Sequence, residues 1–184
     1  MLWLLSLVLA GPVSHMSAAV PISKPSLVSS TNRVSALALL ALETRRIRSQ
    51  EPRLTKLVTE GARRSSTFAD LVVRLHRTDV IVYVESTHDL PSETVGRIVF
   101  QAIAGNQRYL RIQVRTGMQG DQVIAVVGHE LRHALEVADD AAVVDEAGLA
   151  LLYRRIGHSS LGPNGFDTDA ARGTGIRVRD ELIG

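Results

Sequence analysis

Between Val123 and Val137 apolar residues recur at helical spacing (Val123, Ile124, Val126, Val127, Leu131, Ala134, Leu135, Val137), and set into this run are His129, Glu130, His133 and Glu136. Gly117 to Asp121 breaks the preceding segment and offers Asp121 as an N-cap, so a helix is expected from there to Asp139-Asp140. A helix this apolar turns much of its surface to a core, where an unpartnered imidazole or carboxylate is costly to bury. Something has to satisfy these groups. The chain has no cysteine, so neither a disulfide nor a thiolate ligand can help, and His, Asp and Glu are the only metal-binding side chains on offer.

His129, Glu130 and His133 form the string HExxH within Gly128-His129-Glu130-Leu131-Arg132-His133. Positions four apart lie on one helix face about one turn apart, which lets two imidazole nitrogens converge on one tetrahedral Zn2+ at about 2.0 to 2.1 Å. Glu130 falls one step round the helix, where a carboxylate can orient a water polarised by the ion and take its proton. A catalytic site needs a third protein ligand and an open position. Asp167, Glu146, Asp169 and His158 are the candidates. Glu136, a turn beyond His133 and on the same face as both histidines, is read as orienting His133 or Arg132 through a hydrogen bond, with a plain surface acid as the alternative. Tyr109, Tyr153 and His158 are possible donors to a developing oxyanion, and spacing assigns none of them. His15, His76 and His88 have no partner at ligand spacing and read as structural or surface residues.

Around this segment the pattern predicts an α+β fold: a small mixed sheet of about three strands packed on helices, with the motif on a central helix. Val80 to Val84 is a β-branched and aromatic run and reads as a central strand. Gly96 to Ile103 and Arg108 to Val114 read as two more strands joined by a loop at 104–107. In the second, Leu110, Ile112 and Val114 alternate with Tyr109, Arg111, Gln113 and Arg115, so one face is buried and the other polar. Helices are expected from the Leu-rich stretch at 37–42 through Arg48, after Pro52, from Ser65 to His76, from Ala141 to Arg155, and from Asp167 to Leu182, with a loop at 157–165.

Three segments are expected: a signal peptide over 1–19, a flexible leader over 20–32 and one catalytic domain over 33–184. Met1 to Ala10 is an apolar run too short to span a bilayer, followed by Gly11, Pro12 and the small residues Ser17, Ala18 and Ala19. It reads as a cleaved export signal, with a buried N-terminal segment as the alternative, and places the protein in the periplasm or outside the cell without a stable membrane span. Charge is segregated. Ten Lys or Arg against four acids between Arg33 and Arg77 give +6, whereas seven acids against Arg132 between Asp121 and Glu146 give −6. The basic half reads as a solvated helical face. Contact with an anionic surface is the sharper alternative, and no nucleic acid is expected because interleaved aromatics are missing.

A strand, a turn and a helix carrying HExxH resemble the zincin metallopeptidases. The longer string GHELRHALE, with FDTDAA some thirty residues on, is similar to small uncharacterised bacterial HExxH proteins of that superfamily, over about Arg63 to the C-terminus. Glu136 stands where the metzincin extension has glycine, so a gluzincin-like site, completed by an acid from a later helix, is what the resemblance implies. It favours Asp167 as the third ligand, although the relatives are expected to carry Glu there. It also implies that the edge-like strand before the motif helix, Arg108 to Val114, lies antiparallel to bound substrate. The expected function is a zinc metallopeptidase acting on a peptide or protein, with Glu130 as general base. The alternative is a zinc-stabilised binding or scaffold domain without turnover.

Overall fold

The computed structural model describes residues 44–159 and 166–184, so the expectations for the signal, the leader and the Leu-rich stretch at 37–42 lie outside the described residues. Within them the fold is α+β, built on a four-stranded mixed sheet. Thr44–Arg46 form a 3-10 turn and lead into strand β1 (Ile47–Arg48). The helix expected to run through Arg48 is therefore a strand end here. Ile47 enters the core, and Arg48 pairs with Tyr83 and lies over its ring at 5.8 Å, so tertiary pairing overrides the local pattern.

Helix α1 (Pro52–Arg64) begins on a proline, whose missing N–H falls where helices leave theirs unpaired, and it buries Leu54, Val58, Gly61 and Ala62. Ser65 ends it and caps α2 (Ser66–His76), accepting from the Phe68 N–H at 3.0 Å. Strand β2 (Val80–Thr87) is followed by β3 (Gly96–Ala104) and β4 (Gln107–Arg115). The hairpin loop is two residues rather than four: Ala104 pairs with Gln107, and Gly105 turns the chain at φ +57. β4 alternates buried and half-buried residues along its whole length, as its pattern predicts.

The sheet order is β1-β2-β4-β3, with β2 parallel to β4 and β3 antiparallel to β4. β2 is interior, as expected. β4, expected at the edge, is interior too, because β3 folds back onto its outer side and becomes the edge strand. Helix α3 (Gly120–Ala138) lies across the buried face of the sheet, with α1 and α2 against it. Its N-cap is Gln119, two residues before the expected Asp121, and the Gln119 and Gln122 side chains form a reciprocal capping box. Asp121 pairs with Arg64 instead, at 2.7 Å.

The C-terminal end of α3 is closed by Arg108 of β4. This buried guanidinium donates to the carbonyls of Val137, Ala138, Asp140 and Val143 and grips Asp79 through two bonds, of 2.7 and 2.8 Å. Helix α4 (Glu146–Ile156) starts five residues later than expected because Asp145 caps it, accepting from the Gly148 N–H at 2.7 Å. Two short strands, β5 (His158–Ser159) and β6 (Phe166–Asp167), pair antiparallel ahead of α5 (Asp169–Ile183), which packs along α3. No helix among the described residues is long and apolar enough to cross a membrane.

Candidate metal centre

The centre starts from a close approach of two helices. A Cβ on Gly175 of α5 would lie 3.2 Å from His129 Cβ, and one on Gly128 of α3 would lie 3.0 Å from Val178 Cγ2. Two missing side chains thus let α5 settle on the motif helix. Thr168 caps α5, its Oγ accepting from the Ala171 N–H at 3.1 Å, and so ends β6 at Asp167 rather than letting the helix begin there. Asp167 is thereby held in an extended segment over the two histidines.

Asp167 Oδ1 stands 3.3 Å from His129 Nε2 and 3.5 Å from His133 Nε2. Ligand atoms about 2.0 to 2.1 Å from a tetrahedral ion are separated by about 3.3 Å. His129, His133 and Asp167 together form the group among the described residues whose ligand atoms could hold one metal ion, all within 4.8 Å of one another. The donor set of two imidazoles and a carboxylate suits zinc. The group has an open side: the His133 side chain is 5% exposed, but those of His129 and Asp167 keep 24% and 20%.

Glu136 holds His133 from behind. Its Oε2 accepts from His133 Nδ1 at 2.8 Å, which leaves Nε2 free to face Asp167. Its Oε1 accepts from Thr168 Oγ at 2.8 Å and faces Arg132 Nε at 3.7 Å. Glu136 thus bonds the His133 ring, as one of its two readings had it, and Thr168 is the contact that sequence reasoning missed. Its signal was there, a threonine directly before an apolar helical run, but nothing local tells that one hydroxyl both caps α5 and anchors Glu136.

Burial, then the neighbouring His133, pulls His129 down to about 4 and keeps it neutral. Burial works against a charge on His133 too, but the hydrogen bonds it donates to Asp167 and Glu136 outweigh it and raise His133 to about 9. Desolvation likewise opposes charge on Asp167, but the bond to His133 and the two nearby imidazoles bring it down to about 2. Glu130 is buried against the start of β3: a Cβ on Gly96 would lie 3.0 Å from its Oε1 and 2.4 Å from Val126 Cγ1. That desolvation pushes its carboxyl up to about 7.

The other ligand candidates are elsewhere. Glu146 is the first residue of α4 and its Oε2 accepts from the Phe100 N–H at 3.0 Å, on the sheet edge. His158 and Asp169 pair with each other at 3.4 Å, both largely exposed. Among the oxyanion candidates, Tyr109 stacks on Tyr83 on the far face of the sheet, and Tyr153 lies edge-on to the His133 ring with its hydroxyl on the His133 carbonyl at 3.4 Å. Tyr153 therefore packs and pins the motif helix.

Fold and site together define an α+β protein with a candidate His-His-Asp metal centre between its central helix and β6. No protein-family model matches the chain, and no solved structure matches it. Among curated proteins it is similar to the methionine import ATP-binding protein MetN of Bradyrhizobium diazoefficiens, at 39% identity over 83 residues, which is 45% of this chain and 22% of that protein. The chain thus spans about a fifth of the length of the curated relative it matches. The lysines here are Lys24 and Lys56, preceded by Ser23 and Thr55, so this sequence contains no G-x-x-x-x-G-K-[ST] loop of the kind that cradles nucleotide phosphates.

Proposed function

We propose that the protein is a zinc-dependent hydrolase that cleaves peptide bonds, as the zincin resemblance implies. The observation that carries this reading is the convergence of His129, His133 and Asp167: Asp167 stands 3.3 and 3.5 Å from the two imidazoles, close to the edge of a tetrahedral zinc site, and all three ligand atoms lie within 4.8 Å of one another, with Glu130 on the same helix as the histidines. Zinc held there would polarise a water and a substrate carbonyl, lowering the water's pKa towards about 7. Glu130 would take the water's proton and return it to the leaving nitrogen, its burial favouring the neutral carboxyl that this leaves. Glu136 and Thr168 fix the His133 ring, and the open side beside His129 and Asp167 admits the substrate. Asp167 is one methylene shorter than the glutamate that the resemblance leads one to expect, and its place on β6 brings its carboxylate within reach of both rings.

Elemental analysis of the purified full chain tests the metal, with one zinc per chain as the expected result. Glu130→Gln tests the chemistry: zinc is retained and hydrolysis of a peptide mixture is lost. Metal-free protein, or unchanged hydrolysis in the variant, would overturn the reading. Zinc without any Glu130-dependent hydrolysis would make the site a structural one. The proposal includes export, supported by the apolar start at Met1 to Ala10; a mature N-terminus just after Ala19, found by N-terminal sequencing from the producing cell, is the expected result.

A further inference from the structure

The hydrophobic core uses one face of the sheet, through alternate residues such as Val82, Leu110 and Ile112. Residues paired across strands point to the same side, so on the other face the register draws Arg48, Tyr83, Arg111 and Val99 into one row across all four strands. Tyr109 stands in the row to one side and Arg97 in the row to the other, and none of these six belongs to the core cluster.

Two of the chain's three tyrosines meet here on the interior strands. The Tyr83 and Tyr109 rings lie 6.4 Å apart with 25° between their planes, and both are half-buried. Around them the guanidiniums bind neutral groups. Arg48 donates to the Tyr83 hydroxyl at 3.1 Å, Arg97 to Gln113 Oε1 at 2.6 Å, and Arg46 to Gln107, two residues before Tyr109 on the same side. None of these three forms an ion pair with a carboxylate among the described residues, whereas Arg111 reaches Glu85 at 3.3 Å. Four guanidiniums against one carboxylate leave the face at +3. Arg48 and Arg97, both exposed, stand on opposite edge strands, three strand spacings or about 14 Å apart across the sheet.

We propose that this face binds single-stranded nucleic acid. Unpaired bases stack on aromatic rings and on guanidinium planes, and the phosphates between them take the positive charge. A four-stranded sheet with aromatics on its central strands is one form in which proteins hold two or three such bases. The tyrosine pair supplies the stacking surface, and Arg46, Arg48 and Arg97 meet the phosphates on either side of it. A duplex keeps its bases stacked inside and shows only their edges. A lipid surface calls for protruding aliphatic side chains, and in these rows Val99 alone is a half-exposed one. Read along the chain, aromatics and basic residues are not interleaved. Parallel pairing of β2 with β4 interleaves them in space, bringing together tyrosines twenty-six positions apart among arginines of three other segments. Because the face looks away from α3, nothing in it depends on the peptidase reading.

The test uses the purified full chain and a labelled single-stranded decauridylate, read by fluorescence anisotropy. Binding is expected to weaken with salt at a logarithmic slope of about −2, since each phosphate neutralised on a single strand contributes about −0.7 and three arginines are free to do so. Arg97→Gln, an exposed change, should make the slope shallower by about 0.7 without moving the melting temperature. Tyr109→Leu keeps an apolar side chain and should weaken binding about tenfold at an unchanged slope. If that variant melts early, Arg48→Gln with Arg97→Gln carries the test, through a slope shallower by about 1.4. The same sequence in a duplex, polyglutamate and phosphatidylglycerol vesicles are each expected to bind more weakly than the single strand. No binding of the decauridylate, duplex binding as tight, or a slope indifferent to the arginine variants would overturn the proposal. So would tighter binding of polyglutamate, which would make the face a site for acidic protein, or of the vesicles, which would make it a membrane contact.

Discussion

Gly96 is the residue on which the position of Glu130 depends most directly. A methyl group there would meet Val126 Cγ1 at 2.4 Å and Glu130 Oε1 at 3.0 Å, so either the strand lifts or the carboxylate moves. Gly96→Val is expected to abolish hydrolysis while elemental analysis still finds zinc, since none of the three ligands touches Gly96. Thr168 acts on the metal instead. Thr168→Val removes both the cap on Ala171 and the donor to Glu136. It is expected to destabilise the fold by about 1 kcal/mol in urea titration. Zinc affinity, measured against a competing chelator, should fall about tenfold or more as His133 loses its support. That His129, His133 and Glu136 share one helix face, with Glu130 one step round, was legible because helical spacing fixes it. Thr168 was not, because its partner lies far away in sequence.

At the level of elements, two contacts decide how the helices sit. Arg108 of β4 ties together the end of α3, the turn after it and Asp79, using a guanidinium that is almost wholly buried. Arg108→Leu leaves those carbonyls and Asp79 without their donor, and about 3 kcal/mol of destabilisation is expected from urea unfolding. Glu181 of α5 reaches the start of α2, accepting from Ser65 Oγ at 2.5 Å, Thr67 N–H at 3.0 Å and Thr67 Oγ at 2.7 Å. Desolvation opposes its charge, but these bonds bring its carboxyl from 4.5 down to about 2. A carboxyl with a depressed folded-state value contributes stability above its unfolded value and loses it on acidification. The midpoint of thermal unfolding should therefore fall as pH drops from about 4.5 to about 2, and Glu181→Gln should flatten that part of the profile. The strands' existence and the alternation on β4 could be read from side-chain pattern. Which strand takes the edge could not, because period-2 patterning reports which face is buried and says nothing about lateral neighbours.

For the whole molecule, the candidate centre joins the middle of α3 to β6, and a bound ion would tie the C-terminal helix to the motif helix. Chelation is accordingly expected to lower the melting temperature. With free zinc at 100 times its dissociation constant the ion adds about 2.7 kcal/mol, or roughly 5 to 10 °C for a chain of this size, and calorimetry with and without chelator checks it. The sequence by itself determined the α+β class, the motif helix and the placing of two imidazoles one turn apart on it, because each depends on periodicities in the chain. Only the tertiary structure decided that Asp167 rather than Glu146, Asp169 or His158 meets those imidazoles, and that β3 rather than β4 borders Glu130. Both are distances between elements, set here by Thr168 ending β6, by Gly128 and Gly175 letting α5 settle on α3, and by the hairpin turning β3 back over the outer side of β4.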